Sequence, residues 1–248
     1  MWTRQMLKTN AKQLFRKNYW VCVGVAFILS VLGTGGGFNG VNISYKYTHT
    51  QGQYEYNVFD YIPAIPAAAA MVMLLLSLFL VAAGIAFYVF VVNVIEVGGT
   101  LFFIWNRTGM PPAGTIFAGF RSGHYKNIVK TMFLKDLYVF LWSLLLIIPG
   151  IIKSYEYFMV PYILAENPGM DSEDVFALSR RMMDGEKWDT FVLNLSFLGW
   201  ELLSAFTCGM VGIFYVNPYC RATYTELYAY NKIKAYNEGY IRTDGGWQ

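Results

Sequence analysis

The sequence predicts an all-α integral membrane protein in which about six transmembrane helices form three repeated hairpins joined by cytoplasmic amphipathic helices. Three observations predict it. Apolar residues make up 56% of the chain and charged residues 14%, away from the roughly even apolar share and quarter charged of a soluble domain. The apolar residues are gathered in runs, and the basic residues fall almost entirely on alternate sides of them. Finally, the second half of the chain repeats itself at offsets of 57 to 60 residues.

The first element is a basic amphipathic stretch over 3–17, with Met6, Leu7, Leu14 and Phe15 set among Arg4, Lys8, Lys12, Arg16 and Lys17. The apolar run 19–32 follows. A basic start before a short apolar core is also the pattern of a secretory signal. The long basic region, the interfacial pair Tyr19-Trp20 and the glycine cluster 33–37, which has no Ala-x-Ala cleavage pattern, favour a retained anchor instead. The 33–62 stretch carries one lysine, Lys46, against Glu55 and Asp60, and reads as an outer loop.

The run 67–92 has Ser77 as its one strongly polar side chain over 26 residues, more than the roughly 20 that a hydrocarbon core requires. With 19–32 it makes a first hairpin over 19–97. A connector over 100–130 holds Arg107, Arg121 and Lys126, with no acidic residue until Asp136. The runs 137–152 and 157–165 make a second hairpin over 133–165, with a turn expected at Pro149-Gly150 and Lys153 just beyond it on the outside. A re-entrant hairpin that leaves on the side it entered is the alternative for this segment. A second connector over 170–187 opens on Asp171-Ser172-Glu173-Asp174 and ends near Arg180-Arg181, the charge order that complements a helix dipole. Its apolar face, Val175, Leu178 and Met182, can lie on the bilayer or beneath the bundle, and the flanking arginines favour the bilayer. The runs 191–206 and 210–219, extended to 230, make a third hairpin over 189–230, and a polar tail occupies 231–248.

Loops held in the cytoplasm collect lysine and arginine. Assigning 3–17, 100–130, 170–187 and 231–248 to the inside, with Lys135 at the helix entrance after the first connector and Arg221 counted with the tail, places seventeen of the nineteen basic residues there. This orients both termini inward across a bacterial cytoplasmic membrane, as one polytopic domain over 1–248. The basic residues flank apolar runs instead of forming a stripe with stacking aromatics, so nucleic acid is not the expected partner. Anionic lipid headgroups are, together with partner membrane proteins, for which the tyrosine-rich stretches 45–61 and 215–240 are suited.

The repeat is read from paired landmarks. Phe133 and Trp142 recur as Phe191 and Trp200, Gly150 recurs as Gly209, and Pro161-Tyr162 recurs as Pro218-Tyr219. The corresponding position of the first hairpin is Val94, so a proline kink is not expected there.

Lys8 with Ala11-Lys12 and Asn18-Tyr19-Trp20, the 93–99 stretch Asn-Val-Ile-Glu-Val-Gly-Gly, and the segment 155–184 carry a resemblance to the bacterial domain-of-unknown-function family 975. The likeness spans nearly the whole chain. It implies a small polytopic membrane protein, distantly similar to the membrane region of some glycerophosphodiester phosphodiesterases, and it brings no activity with it.

Polar and hinge residues at membrane depth are the candidate functional positions, because burying them in lipid is costly unless they face a partner or water. They are Asn93, Glu96, Pro161, Tyr162, Asn194, Glu201, Asn217, Pro218 and Tyr219. Glu96 reads as a headgroup-level acid paired with Arg107, and Lys153 with Glu156 as an interfacial pair. No catalytic residue, metal site or cofactor is expected: His49 and His124 fall on opposite sides, the three cysteines lie in or beside apolar runs, and no phosphate-cradling glycine loop or nucleophile motif is present. The expected function is a membrane scaffold or accessory subunit acting through lipid or protein contacts. The alternative is a small transporter, or a lipid or peptide export factor, with a path lined by Asn93, Asn217 and Glu201.

Overall fold

The computed structural model describes residues 2–31 and 67–241. The glycine cluster 33–37, the outer loop 33–62 with His49, the tyrosine-rich stretch 45–61 and the end of the tail lie outside the described residues.

All regular structure among the described residues is helical. In order the helices are α1 (Arg4–Lys17), α2 (Tyr19–Val31), α3 (Ala67–Phe87), α4 (Asn93–Trp105), α5 (Ala118–Arg121), α6 (Tyr125–Leu145), α7 (Ile147–Glu156), α8 (Val160–Glu166), α9 (Ser172–Met182), α10 (Lys187–Leu195), α11 (Leu198–Phe206) and α12 (Asn217–Asn237). Two π-helical turns, Tyr88–Val92 and Gly212–Val216, and a 3₁₀ turn, Ala113–Phe117, join them.

The described part falls into two compact units. The smaller is represented by α3, whose side chains from Met71 to Phe87 are exposed. The larger holds the remaining helices around one core. Leu7 and Ala11 of α1, Leu29 of α2, Phe102 of α4, Ile163 and Leu164 of α8, and Tyr224 and Leu227 of α12 are buried in it. At about 1.5–3 kcal/mol for each fully buried large side chain, this core is the main source of the body's stability.

One helical stretch among the described residues, Met71–Trp105, is long and apolar enough to cross a membrane, with mean hydropathy 2.7 and 6% of its window buried. The core helix of a soluble protein would be mostly buried. The six uninterrupted crossings expected from the apolar runs do not form. A helix rises about 1.5 Å per residue and needs about 20 residues to span the hydrocarbon, whereas α2 has 13 residues, α7 has 10 and α8 has 7. The run 191–206 is broken at Ser196 and Phe197 into α10 and α11, of 9 residues each. Helix α12 has 21 residues, but buried tyrosines, Glu226 and Arg221 make it a helix of the body.

The 170–187 connector takes the second of its two expected places. Asp171 caps α9, its Oδ2 accepting from the Glu173 amide at 3.1 Å, and Val175, Leu178 and Met182 are buried in the core and not laid on the bilayer. The 3₁₀ turn presses so closely on α4 that a Cβ at Gly98 would stand 2.6 Å from the Ile116 carbonyl carbon. The tyrosines of α12 likewise serve the chain's own core: Tyr162 stacks on Tyr228 with centroids 5.2 Å apart, and Phe158 meets Tyr224 edge-on at 5.3 Å.

The two hairpins of the larger unit turn differently. Cys208 and Gly209 close the later one in the left-handed region, at φ of 52° and 84°. The earlier one turns at Leu146, whose backbone is extended at φ −158° and ψ 140°. Gly150 therefore does not form the turn: it sits in α7, where its missing Cβ lets Ser143 of α6 approach, a Cβ there standing 2.7 Å from Ser143 Cα. Gly212 makes the corresponding approach to Ser204. The repeat thus survives as a serine facing a glycine across each hairpin.

Candidate functional site

Helix irregularity recurs at one position of the repeat. The π-helical turn Tyr88–Val92 delivers Asn93, the turn before α8 delivers Val160-Pro161, and the π-helical turn Gly212–Val216 delivers Asn217-Pro218. The first break needs no proline, contrary to the straight helix expected at Val94. Such turns release backbone groups and re-aim side chains, and they gather at functional sites.

Around the first break lies a cluster of polar groups. Asn93 is fully buried, and its Nδ2 donates to Asp136 Oδ2 at 3.1 Å. Lys135 Nζ lies 3.1 Å from Asp136 Oδ1. Glu96, partly buried, lies within the fields of Lys135, Arg221 and Asp136. Tyr162, buried on α8, closes the group, within the fields of Arg221 and Glu96. Four helices, α4, α6, α8 and α12, contribute to one cluster. Asn93 Oδ1 is left buried without a hydrogen-bond partner among the described residues, which costs about 1–3 kcal/mol of desolvation unless water or a ligand reaches it.

Arg107 does not pair with Glu96. Its Nε lies 2.7 Å from Glu226 Oε1, and the Glu226 side chain is 7% exposed. The remaining candidates go elsewhere. Asn217 Nδ2 donates to Ser30 Oγ at 3.1 Å, on α2. Pro218 and Tyr219 are buried at the start of α12, where Tyr219 meets Phe197 edge-on at 5.6 Å. Asn194 Nδ2 donates to the Tyr155 hydroxyl at 2.9 Å. Glu201, on α11, is partly exposed. Pro161 is buried in the first turn of α8. Of the expected path residues, Asn93, Asn217 and Glu201, no two share a hydrogen-bond partner.

Sequence reasoning passed over Lys135 and Asp136 as interfacial and placed Arg221 in the tail. The signal that finds Arg221 is the repeat itself. Counted from Asn93 and Asn217, Glu96 and Arg221 stand at nearly the same depth of matching helices, which is what brings the charges together.

A second polar junction ties the hairpin bases. Glu156 accepts from Lys153 and, through Oε1, from Lys187 Nζ at 3.1 Å. Lys153 and Lys187, expected from the sequence on opposite sides, thus share one carboxylate. On the α1 side, Lys8 Nζ donates to Ser196 Oγ at 2.8 Å and lies 4.4 Å from the Phe197 ring centroid. Burial there holds Lys8 below the ordinary lysine range, with Arg4 and Lys12 pressing the same way and Cys220 opposing.

The profile of the family described as "Protein of unknown function (DUF975)" matches residues 5–237. The chain belongs to the DUF975 family. No curated protein and no solved structure matches it. The stretch that carried the resemblance, 93–99, is thus the stretch of this DUF975 chain that supplies Asn93, Glu96 and the close approach at Gly98. No group of three or more metal-ligating side chains occurs among the described residues.

Proposed function

We propose that this chain is an integral membrane protein that acts as a scaffold or accessory subunit, through the lipid and protein contacts of apolar hairpins projecting from a packed cytoplasmic body. The observation that carries the reading is where the apolar surface lies. In the hairpin of α6 and α7, Leu144, Ile147 and Ile148 are 74%, 76% and 72% exposed, and Phe206 at the end of α11 is 87% exposed. The apolar face of α9, by contrast, is buried. Exposed apolar area on this scale marks contact with lipid or with another protein. The basic bias of 3–17, 100–130, 170–187 and 231–248 supports a body on the cytoplasmic side with both termini there.

The α6/α7 hairpin is best read as re-entrant. Nine residues separate Asp136 from the end of α6 at Leu145, a rise of roughly 14 Å, about half the hydrocarbon thickness. The Lys153–Glu156–Lys187 junction supports the same reading. Retention in the membrane fraction after carbonate washing supports the integral assignment; release of the full chain as a soluble monomer without detergent overturns it.

A second reading, a small transporter or export factor, draws on the cluster at Asn93, whose unpartnered Oδ1 and neighbouring Glu96, Lys135 and Arg221 could meet a polar solute. If it holds, Glu96→Gln abolishes solute flux in reconstituted vesicles while leaving thermal stability near that of the parent. A scaffold tolerates the same change.

A further inference from the structure

Between α4, the 3₁₀ turn, α5 and the ends of α6 and α8 lies a cavity of about 410 Å³, inside the range of roughly 300–1,000 Å³ typical of ligand sites. Val97, Leu101, Trp105, Ile128 and Leu164 give it apolar walls. Its polar side chains are Thr115, Ser122 and Arg121. The two hydroxyls already donate to backbone carbonyls, Thr115 to Pro112 and Ser122 to Gly119. Arg121 is exposed and forms no ion pair among the described residues, and no carboxylate lines the cavity.

The surrounding charge has one sign. From Arg107 to Lys135 there are five basic residues and no acidic one. Arg107 and Lys135 are neutralised by Glu226 and Asp136. Arg121, Lys126 and Lys130 are exposed and unpaired among the described residues. An apolar hollow beside uncompensated cations fits an amphiphile with a negative head. A small free anion would satisfy Arg121 and leave the apolar walls against water. A neutral amphiphile would leave the arginine unanswered.

We infer that the cavity binds one acyl chain of an anionic phospholipid, whose headgroup phosphate is held by Arg121. The site rests on the membrane assignment above and gives its lipid contact a specific place and a headgroup preference. It also accounts for the open space at Gly114, where a Cβ would meet no atom within 4 Å. Gly114 is part of the cavity lining, and a leucine there adds bulk to that lining without displacing backbone.

The test uses the full chain in nonionic detergent. Phosphatidylglycerol brominated in its acyl chains is titrated against tryptophan fluorescence, and the Trp105→Phe variant isolates the signal of the tryptophan in the cavity wall. Phosphatidylglycerol should quench that component at lower concentration than brominated phosphatidylcholine does. Gly114→Leu should raise the half-quenching concentration about tenfold for both lipids, and Arg121→Gln should erase the difference between them. Unchanged quenching in both variants overturns the site, as does displacement of the lipid by glycerol phosphate as readily as by phosphatidylglycerol. A chain washed from membranes by carbonate fails the membrane assignment and the lipid site with it; a retained chain whose quenching ignores Gly114→Leu fails the site alone.

Discussion

Lys187 Nζ lies 3.1 Å from Glu156 Oε1, which ties the base of the α6/α7 hairpin to the start of α10. A single cysteine at position 153, in a chain whose native cysteines are replaced by alanine, should therefore resist a membrane-impermeant maleimide added to intact cells. It should label after the cells are opened. Labelling at 153 from outside would sink the re-entrant reading and restore a complete crossing.

The bond from Asn93 to Asp136 is partly buried and charge-assisted. Asn93→Ala should lower stability by about 1.5–3 kcal/mol, the range for hydrogen bonds to charged groups, read as a fall in the thermal midpoint in detergent. Asp136→Asn should cost less, because the amide oxygen can still accept. If Asn93→Ala melts with the parent chain, the cluster does not hold the four helices together.

Gly98 and Gly114 make a matched pair of substitutions. Gly98→Ala drives a Cβ into the Ile116 backbone and should cost about 1–3 kcal/mol, the range for overpacking. Gly114→Ala meets open space and should leave the melting midpoint within the spread of repeat measurements. Equal effects would mean that α4 and the 3₁₀ turn are not in close contact in solution.

Much of the fold was legible in the residues, and the limits have physical causes. The helical class followed from the apolar runs and the repeat from paired landmarks, and Asp171 announced the start of α9. The depth of each helix was not legible. An apolar face reads the same whether protein or lipid covers it, so Val175, Leu178 and Met182 looked suited to a bilayer surface although they belong to the core. The tyrosines of α12 looked suited to partners for the same reason. Asn93, Glu96 and Tyr162 were found as polar residues in apolar surroundings. Lys135, Asp136 and Arg221 were missed because their meeting depends on which helices become neighbours.

Arg107 and Glu226 should show charge-swap behaviour. Glu226→Gln leaves a partly exposed guanidinium beside a buried amide and should destabilise the body by about 1–3 kcal/mol, below the cost of breaking a fully buried pair. The double variant Arg107→Glu with Glu226→Arg should recover part of the loss. A double variant no better than the sum of its two single changes would show that the pair adds no coupling.

Lys234 donates to Glu186 Oε1 at 2.9 Å, and this hydrogen bond, set against a smaller opposing effect of burial, raises its pKa above the ordinary lysine value. A raised folded pKa contributes stability that is fully present below the unfolded pKa, about 10.4, and is lost as pH rises through the folded value. Thermal midpoints of the parent chain and of Lys234→Met should therefore converge above that pH. A gap that persists unchanged at high alkalinity would place the contribution in packing.

Glu186 also accepts from Trp2 Nε1 at 2.7 Å, while Leu7 and Ala11 of α1 are buried in the core that α12 completes. During synthesis α1 thus waits for α12. Until residues near 230 have been synthesised, its apolar side lacks the helix it packs against most, and a growing chain with such a face exposed is prone to wrong associations. A membrane surface close to the exit tunnel would give that helix somewhere to rest, so delayed targeting should harm this protein early, before any hairpin has formed.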